Sequence, residues 1–301
     1  MELYLLLCCW RWIKMNYVLV IVSTVLLAFD FALQKRYQAS EGTDLIAGLK
    51  FNAVNGLLTA VIFFALSDFK IEFSLFSVVL AFAMALFCIS YSVLGFRILK
   101  SSGMALYSVF LMSGGMLLPY FYGVLFLEEV LSPLRIAGVV MILAAVVCTN
   151  KAKFNIKATV LPLCIAVFVL NGFVSIVSKV HQINETFFPV SSTMFVMYSG
   201  IAKFLVGSAA LLFCREKKRA VSFSSKMIPL MISGSALIGG VSYMLQLIGA
   251  KNLPATVLYP VVTGGSILFS ALAGKVFFRE KLSLHQIIGI ALCFVGTLLF
   301  L

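Results

Sequence analysis

One acid and two lysines stand out among the ionisable side chains inside long apolar runs of the chain, where an uncompensated charge is costly. Asp30 is the only acid inside these runs, and Lys50 and Lys203 lie within two others. A charged group at the centre of a bilayer costs roughly 2.5–3.5 kcal/mol on insertion scales, so it usually faces the bundle interior or water. Asp30 is therefore a candidate for binding a coupling H+ or Na+ ion, unless it pairs with Lys35 or Arg36 near the end of its run.

The two lysines allow two interpretations. An ammonium group inside the membrane could bind the carboxylate or phosphate of a substrate. It could equally cap helix carbonyls, pair with a neighbouring acid, or reach towards the interface along its apolar stem. Lys50-Phe51 and Lys203-Phe204 fall at matching places in the two halves of the chain, which favours a structural role.

Polar and aromatic side chains also occur in the central apolar runs. An amide in hydrocarbon needs partners, so it faces protein or water, and the face of a tyrosine can hold an organic cation. These side chains are candidates for a substrate cavity, with ordinary hydrogen bonding between helices as the alternative. They are Tyr91, Tyr107, Ser108, Asn171, Tyr243, Gln246, Tyr259 and Thr263.

A ten-residue motif occurs twice. Residues 129–138 read EVLSPLRIAG and residues 280–289 read EKLSLHQIIG. The pairs that match at a constant offset include Glu129 with Glu280, Ser132 with Ser283, and Gly138 with Gly289. A carboxylate at a helix start can meet exposed N–H groups, and serine is a favoured N-cap. We expect these residues to be structural and to fix the short loops before the fifth and tenth spans.

Composition defines the class of protein. Of the 301 residues, 62% are hydrophobic and 11% are charged, whereas soluble domains carry about 25% charged residues. The chain is therefore predicted to be an all-α, polytopic membrane protein in contact with the lipid bilayer. The net charge of +12 comes from Lys and Arg in short loops, where they meet anionic headgroups, and it does not indicate binding to nucleic acid.

A bilayer core of about 30 Å requires about 20 apolar residues per helix, and ten runs meet this length approximately. They are residues 17–34, 45–66, 75–97, 104–126, 134–149, 158–178, 190–213, 227–248, 254–278 and 284–301. Five spans in each half make the second half inverted relative to the first. The domains are then a first repeat over 17–149, a second over 150–301, and an N-terminal extension over 1–16. The extension reflects either a wrongly assigned start or a short interfacial segment.

Loop charges in the second half predict an orientation. One side carries ten Lys and Arg residues, and the other carries Lys179 and Lys251. By the positive-inside rule the basic side is cytoplasmic, which places both termini outside.

The motif, the ten spans and the duplicated halves resemble the drug/metabolite transporter superfamily, of the EamA type. The resemblance covers the chain from about residue 15 and includes the glycine pairs Gly114-Gly115 and Gly264-Gly265 of spans four and nine. It implies a multi-pass transporter of the plasma membrane (the bacterial cytoplasmic membrane) with a central cavity and both termini cytoplasmic. The small four-span relatives couple to protons through a Glu in the first span, where this chain has Asp30 instead.

The sequence therefore predicts a secondary transporter that moves a small organic metabolite, an amino acid or similar, by alternating access, with export as the commonest role in the family. The alternative is proton- or cation-coupled transport of quaternary or aromatic cations or drugs. An intramembrane enzyme would need paired span aspartates, an HExxH motif or a span histidine, and the sequence offers none of these patterns. No cofactor or metal is predicted, and a monomer is the expected state because one chain holds both halves.

Overall fold

The computed structural model of the chain describes residues 2–102, 104–150, 159–213, 227–279 and 282–300. Within these ranges the chain forms ten α-helices and no strand. The helices are α1 Glu2–Glu41, α2 Leu45–Leu66, α3 Leu75–Ser102, α4 Met104–Phe126, α5 Pro133–Asn150, α6 Leu161–Ile183, α7 Ser192–Phe213, α8 Met227–Asn252, α9 Ala255–Phe278 and α10 Leu284–Leu298. Each predicted span corresponds to one of them.

Nine of the described helices are long and apolar enough to cross a membrane, α1 through its segment Met15–Glu41, and α10 is a shorter apolar helix of 15 residues. The outer surface is apolar as well. Val61, Leu125 and Val140 are 60%, 71% and 59% exposed respectively, which suits side chains that face lipid rather than water. The protein is thus a polytopic helical membrane protein.

The boundaries of α6 differ from the predicted span 158–178. The helix begins at Leu161 because Pro162 occupies its first turn, where the missing N–H costs little. It continues to Ile183 because its last polar side chains find buried partners. Lys179 and His181 are 4% and 0% exposed, so these two residues lie inside the bundle and not in a loop.

The packing of the helices is symmetric under exchange of the two halves. If α1–α5 correspond to α6–α10, then α2·α7, α4·α9 and α5·α10 are pairs of equivalents, and all three are in contact. Each remaining extensive contact has its counterpart: α1·α8 matches α3·α6, α4·α6 matches α1·α9, and α3·α7 matches α2·α8. The sequence repeat is therefore also a repeat of packing.

Contacts between helix ends show that equivalent helices run in opposite directions. Asn252 at the end of α8 donates to Asn16 near the start of the first span (3.1 Å). Lys179 near the end of α6 donates to the carbonyl of Leu253 (2.7 Å). The start of the span in α1 and the end of α6 thus share one side of the bundle. We call it face A, and the opposite side, which holds the α1–α2 and α9–α10 connections, face B.

Glycines of the repeat bring equivalent helices into close contact. A Cβ at Gly138 of α5 would come within 2.9 Å of the Gly296 carbonyl oxygen of α10. One at Gly289 of α10 would come within 3.1 Å of the Ala145 carbonyl oxygen of α5. The two motif glycines therefore make repeat-related contacts across one antiparallel helix pair, where small residues let the backbones approach.

Candidate functional site

Asp30 lies about midway along the span segment Met15–Glu41 of α1 and is only 7% exposed. Its carboxylate accepts hydrogen bonds from the hydroxyl of Ser235 on α8 and from the amide of Gln34 on α1 (2.8 Å). Asn55 of α2 donates in turn to the Ser235 hydroxyl (3.3 Å). Gly239, one turn after Ser235, leaves room for the carboxylate, because a Cβ there would lie 2.8 Å from Oδ2. The acid is therefore held by neutral donors from both halves.

Lys203 of α7 is the cation nearest to this carboxylate. Its charge lies within electrostatic reach of Asp30 and of Cys88 on α3. Lys203 comes one turn after Gly200, where α7 crosses α2. A Cβ on Gly200 would lie 2.7 Å from the Gly56 carbonyl oxygen, and a Cβ on Gly56 would lie 2.7 Å from the Gly200 carbonyl oxygen. This close crossing fixes the base of the Lys203 side chain at the centre of the bundle. Within the described residues the ammonium group makes neither a hydrogen bond nor an ion pair.

Three tyrosines interact with Cys88. Tyr91 is hydrogen-bonded to Cys88, and Tyr107 of α4 and Tyr243 of α8 lie within electrostatic reach of it. The Tyr107 ring fits against α3 because residue 95 is glycine, whose Cβ would lie 2.5 Å from that ring. Cys88, which belongs to no motif in the sequence, is thus the residue with which both Lys203 and the tyrosines interact.

The aromatic cluster continues towards face A along α6. The Tyr243 hydroxyl is 2.8 Å from the Ser178 hydroxyl and donates to the sulfur of Met84 (3.1 Å). Tyr259 of α9 donates to the Ser175 carbonyl oxygen (2.5 Å). The structure therefore brings together Asp30, Lys203, Tyr91, Tyr107, Tyr243 and Tyr259 of the predicted residues, with Cys88 among them. We call these seven residues the central cluster.

The other predicted cavity residues lie elsewhere. Asn171 donates to the Leu111 carbonyl oxygen (2.7 Å) and joins α6 to α4. Gln246 donates to Ser242, which donates to a carbonyl of α1. Thr263 is buried in α9 and Ser108 is partly buried in α4, and neither side chain has a bond to the central cluster. Lys50 is 6% exposed, lies near the face B end of α2, and has an interaction of its own.

Glu129 of the first motif binds a helix of the other half. Its two carboxylate oxygens accept hydrogen bonds from the backbone N–H groups of Ala255 (2.6 Å) and Thr256 (2.7 Å), the first residues of α9. A carboxylate is favourable there because the helix N-terminus carries a partial positive charge. Gly123 makes room for it, since a Cβ at that position would lie 2.7 Å from Oε2. The loop before α5 is thus tied to the α8–α9 junction.

Lys179 stabilises the same junction from the other side. Its ammonium donates to the carbonyl oxygens of Ala250 and Leu253, both at 2.7 Å, at the C-terminal end of α8. The Glu129 and Lys179 charges are also close enough to interact. The sequence does not predict this pairing, because the helix ends involved are distant in the chain. The signal that the sequence offers is a lysine before a short connection.

The remaining motif residues have local or packing roles. The Ser132 carbonyl accepts the N–H of Ile136 at the start of α5 (3.1 Å). Ser283 is the N-cap of α10, and both its N–H (2.9 Å) and its hydroxyl donate to the side chain of Gln286. Gly138 and Gly289 form the α5·α10 contact described above. Glu280 lies outside the described residues.

Two grooves are visible on the described part of the molecule. The first, of about 190 Å³, lies between α1 and α9 and is lined mainly by small side chains, with Lys35 at one end. The second, of about 180 Å³, lies between α3 and α7. No group of three or more His, Cys, Asp or Glu side chains within the described residues is close enough together to hold a metal ion.

Three comparisons identify the relatives of this chain. Residues 158–301 match the EamA-like transporter family. A 90-residue segment is 29% identical to the "Probable 4-amino-4-deoxy-L-arabinose-phosphoundecaprenol flippase subunit ArnE" of Erwinia tasmaniensis, over 30% of this chain and 82% of that protein. A solved structure titled "Crystal structure of protein" superposes with a TM-score of 0.73 at 17% identity, over 95% of this chain and 96% of that one. The last similarity concerns the fold alone.

These findings agree with the resemblance drawn from the duplicated motif. The match to the family falls on the second five-helix half, and the fold similarity extends over nearly the whole chain. These matches support a membrane transporter whose second half is similar to the EamA-like transporter family.

Proposed function

We propose that the protein is a secondary transporter that exports a small organic metabolite, an amino acid or a similar solute, across the bacterial cytoplasmic membrane by alternating access. The observation that carries this proposal is the central cluster. It joins charged and aromatic side chains of α1, α3, α4, α7, α8 and α9, which come from both inverted halves. Inverted-repeat transporters place their substrate sites at such a position. The proposal assigns no catalytic activity to the chain.

Alternating access follows from the inverted arrangement. Rocking one half against the other exposes the central cluster first to one face and then to the other. The α8–α9 junction on face A is bound by Glu129 of the first half and Lys179 of the second, so it links the two halves. Direction of transport is taken from the commonest role in the family, and a functional monomer is sufficient because one chain supplies both halves.

Counterflow in proteoliposomes tests this proposal. Vesicles preloaded with a mixture of unlabelled amino acids should accumulate the labelled mixture faster than vesicles that lack the protein, and the uptake should saturate. The Tyr243→Ala variant should lose most of this uptake. Tyr122→Phe, which changes a tyrosine that stacks on Phe126 away from the cluster, should retain it. Counterflow no faster than in protein-free vesicles, for every solute class offered, would reject the proposal.

Transport of quaternary or aromatic cations is the alternative. The four tyrosines of the cluster favour it, since tyrosine faces attract organic cations. Lys203 opposes it, because its ammonium repels a cation at the same place. Counterflow of choline or tetraphenylphosphonium in the same vesicles would support this alternative.

A second candidate function comes from the flippase relative, whose name includes an undecaprenol-linked amino sugar. The groove between α1 and α9 could hold part of a polyprenyl chain, since Ala28, Ala32, Ser270 and Gly274 line it. Under this function a short-chain polyprenyl phosphate should cross the bilayer faster in vesicles that contain the protein. Enlarging a side chain that lines the groove, as in Ala32→Phe, should slow this movement of the polyprenyl phosphate.

A further inference from the structure

The central cluster contains one acid and one base that face each other without direct contact. Asp30 and Lys203 interact through their charges, yet the Asp30 oxygens already accept bonds from Ser235 and Gln34. Lys203 is partly exposed within the bundle. Within the described residues its three ammonium donors have no protein acceptor. The charges of Asp30 and Lys203 therefore offset each other, but among the described residues the Lys203 ammonium has no hydrogen-bond acceptor.

Such an ammonium group needs an acceptor. A lysine offers three N–H donors and no acceptor of its own, and charge-assisted hydrogen bonds to an anion are stronger than those between neutral groups. The Cys88 thiol and the tyrosine hydroxyls nearby are neutral at physiological pH in their ordinary form. The geometry thus favours a small anionic group, delivered by the solute, as the partner of Lys203.

Resting on the transport function proposed above, we propose that Lys203 binds the carboxylate or phosphate of the transported solute. Asp30, the counter-ion of Lys203 in the empty transporter, takes up one H+ from water when the anion binds. In the empty state Asp30 and Lys203 sum to zero charge. In the loaded state a neutral Asp30, a positive Lys203 and a singly charged anion again sum to zero. The solute class is therefore one of net charge −1, an acidic amino acid or another organic monoanion, which moves together with a proton without net charge transfer.

The surroundings of Asp30 support this exchange of partners. The residues that face it are Gln34 on α1, Ser235 and Gly239 on α8, Asn55 through Ser235, and Lys203 on α7. Neighbouring helices carry further cations: Lys50 on α2, Lys251 on α8 and Lys275 on α9. These three lie towards helix ends, so Lys203 is the cation that a change in Asp30 charge affects most. Ser235 and Gln34 can bond either form of the carboxyl group, because a hydroxyl and an amide offer donors and acceptors.

The first test needs no knowledge of the solute. A variant that keeps Cys88 and lacks the other six cysteines is treated with negatively charged and positively charged methanethiosulfonate reagents. If the Lys203 ammonium lies in an open space beside Cys88, the negative reagent should react several-fold faster than the positive one. Lys203→Gln should abolish this preference, and Lys251→Gln, at the exposed end of α8, should leave it unchanged. A preference that is independent of residue 203 would overturn the proposal.

The second test measures binding by thermal stabilisation, since a ligand that binds only the native state raises the melting temperature. Matched probes separate charge from shape: benzoate with benzamide, and L-glutamate with L-glutamine, together with inorganic phosphate. Anions should stabilise the wild type more than their amides. Lys203→Gln should weaken anion binding about 10- to 100-fold, the range for losing a hydrogen bond to a charged group. Equal stabilisation by anion and amide, or binding unaffected by Lys203→Gln, would overturn the proposal.

The third test measures the proton. Vesicles loaded with a pH-sensitive dye should acidify inside when a bound anion enters, at a rate that a membrane potential does not change. Asp30→Asn, which keeps the size and neutral hydrogen-bonding capacity of the group, should bind the anion and lose the proton movement. Entry that responds to membrane potential would refute the coupling. Anion binding without any counterflow would refute the transport function and leave the Lys203 site standing.

Discussion

Individual residues of the motif act across the two halves of the molecule. Glu129 is in the first half, and it binds the two leading N–H groups of a helix in the second half. A carboxylate with two backbone donors at a helix N-terminus combines charge-assisted hydrogen bonds with a favourable helix dipole. The Glu129 side chain therefore joins the two halves, whereas the motif alone predicts a role in its own loop.

Replacing Glu129 by alanine should destabilise the protein. Two N–H groups of α9 would lose a charged acceptor, and each hydrogen bond to a charged group contributes roughly 1.5–3 kcal/mol. We expect a loss on the order of 2–4 kcal/mol and a clearly lower melting temperature in detergent. Glu128→Asn is the control, because Glu128 is exposed with φ of 52°, a conformation that asparagine tolerates. Equal melting temperatures for the two variants would contradict this account of Glu129.

At the scale of helices, much of the architecture follows from sequence. The lengths of the apolar runs predict all ten helices, and the repeated motif predicts that α5 is equivalent to α10. Side-chain partners were less predictable. Lys179 was assigned to a loop because it follows a run of span length, yet it binds α8 carbonyls that lie about 70 residues later. Cys88 belongs to no recognisable motif, and it is part of the central cluster only because α3 packs against α7 and Tyr243 of α8 reaches α3.

The α5·α10 pair gives a prediction at this scale. A methyl group at Gly138 would meet the Phe300 ring at 2.5 Å and the Gly296 carbonyl oxygen at 2.9 Å. Overpacking of this kind typically costs 1–3 kcal/mol. Gly138→Ala should therefore lower the melting temperature, and Gly138→Leu should lower it further. Ala137→Leu adds more volume at an exposed neighbouring position and should change it little, so a similar loss there would indicate that the helix pair is not closely packed.

The Lys and Arg residues of the second half concentrate in one set of connections. Lys179 is buried at the α8–α9 junction, so Lys251 is the second half's remaining Lys or Arg in the face A connections. The other connections of that half carry ten Lys and Arg residues and follow α5, α7 and α9, which end at face B. Most of them, in residues 151–157 and 214–226, lie outside the described residues. The positive-inside rule therefore places face B in the cytoplasm.

Reporter fusions test this orientation. Green fluorescent protein inserted between α7 and α8 should fluoresce, and alkaline phosphatase after Leu301 should be active, because the first reporter needs the cytoplasm and the second an oxidising exterior. Exchanging the two reporters should silence both. The family resemblance implies the opposite result, with both termini in the cytoplasm. The experiment therefore decides between the orientation predicted from loop charges and the orientation implied by the resemblance.

The fastening of α9 by Glu129 also has a consequence for biogenesis. The ribosome makes Glu129 well before Ala255, since the two are separated by 126 positions. When α9 leaves the translocon, its first N–H groups meet an acceptor that is already in the bilayer, and they need not remain unpaired in hydrocarbon. The first half thus supplies a partner for the start of α9 before that helix is made. If the second half is made alone, these two N–H groups lose the carboxylate.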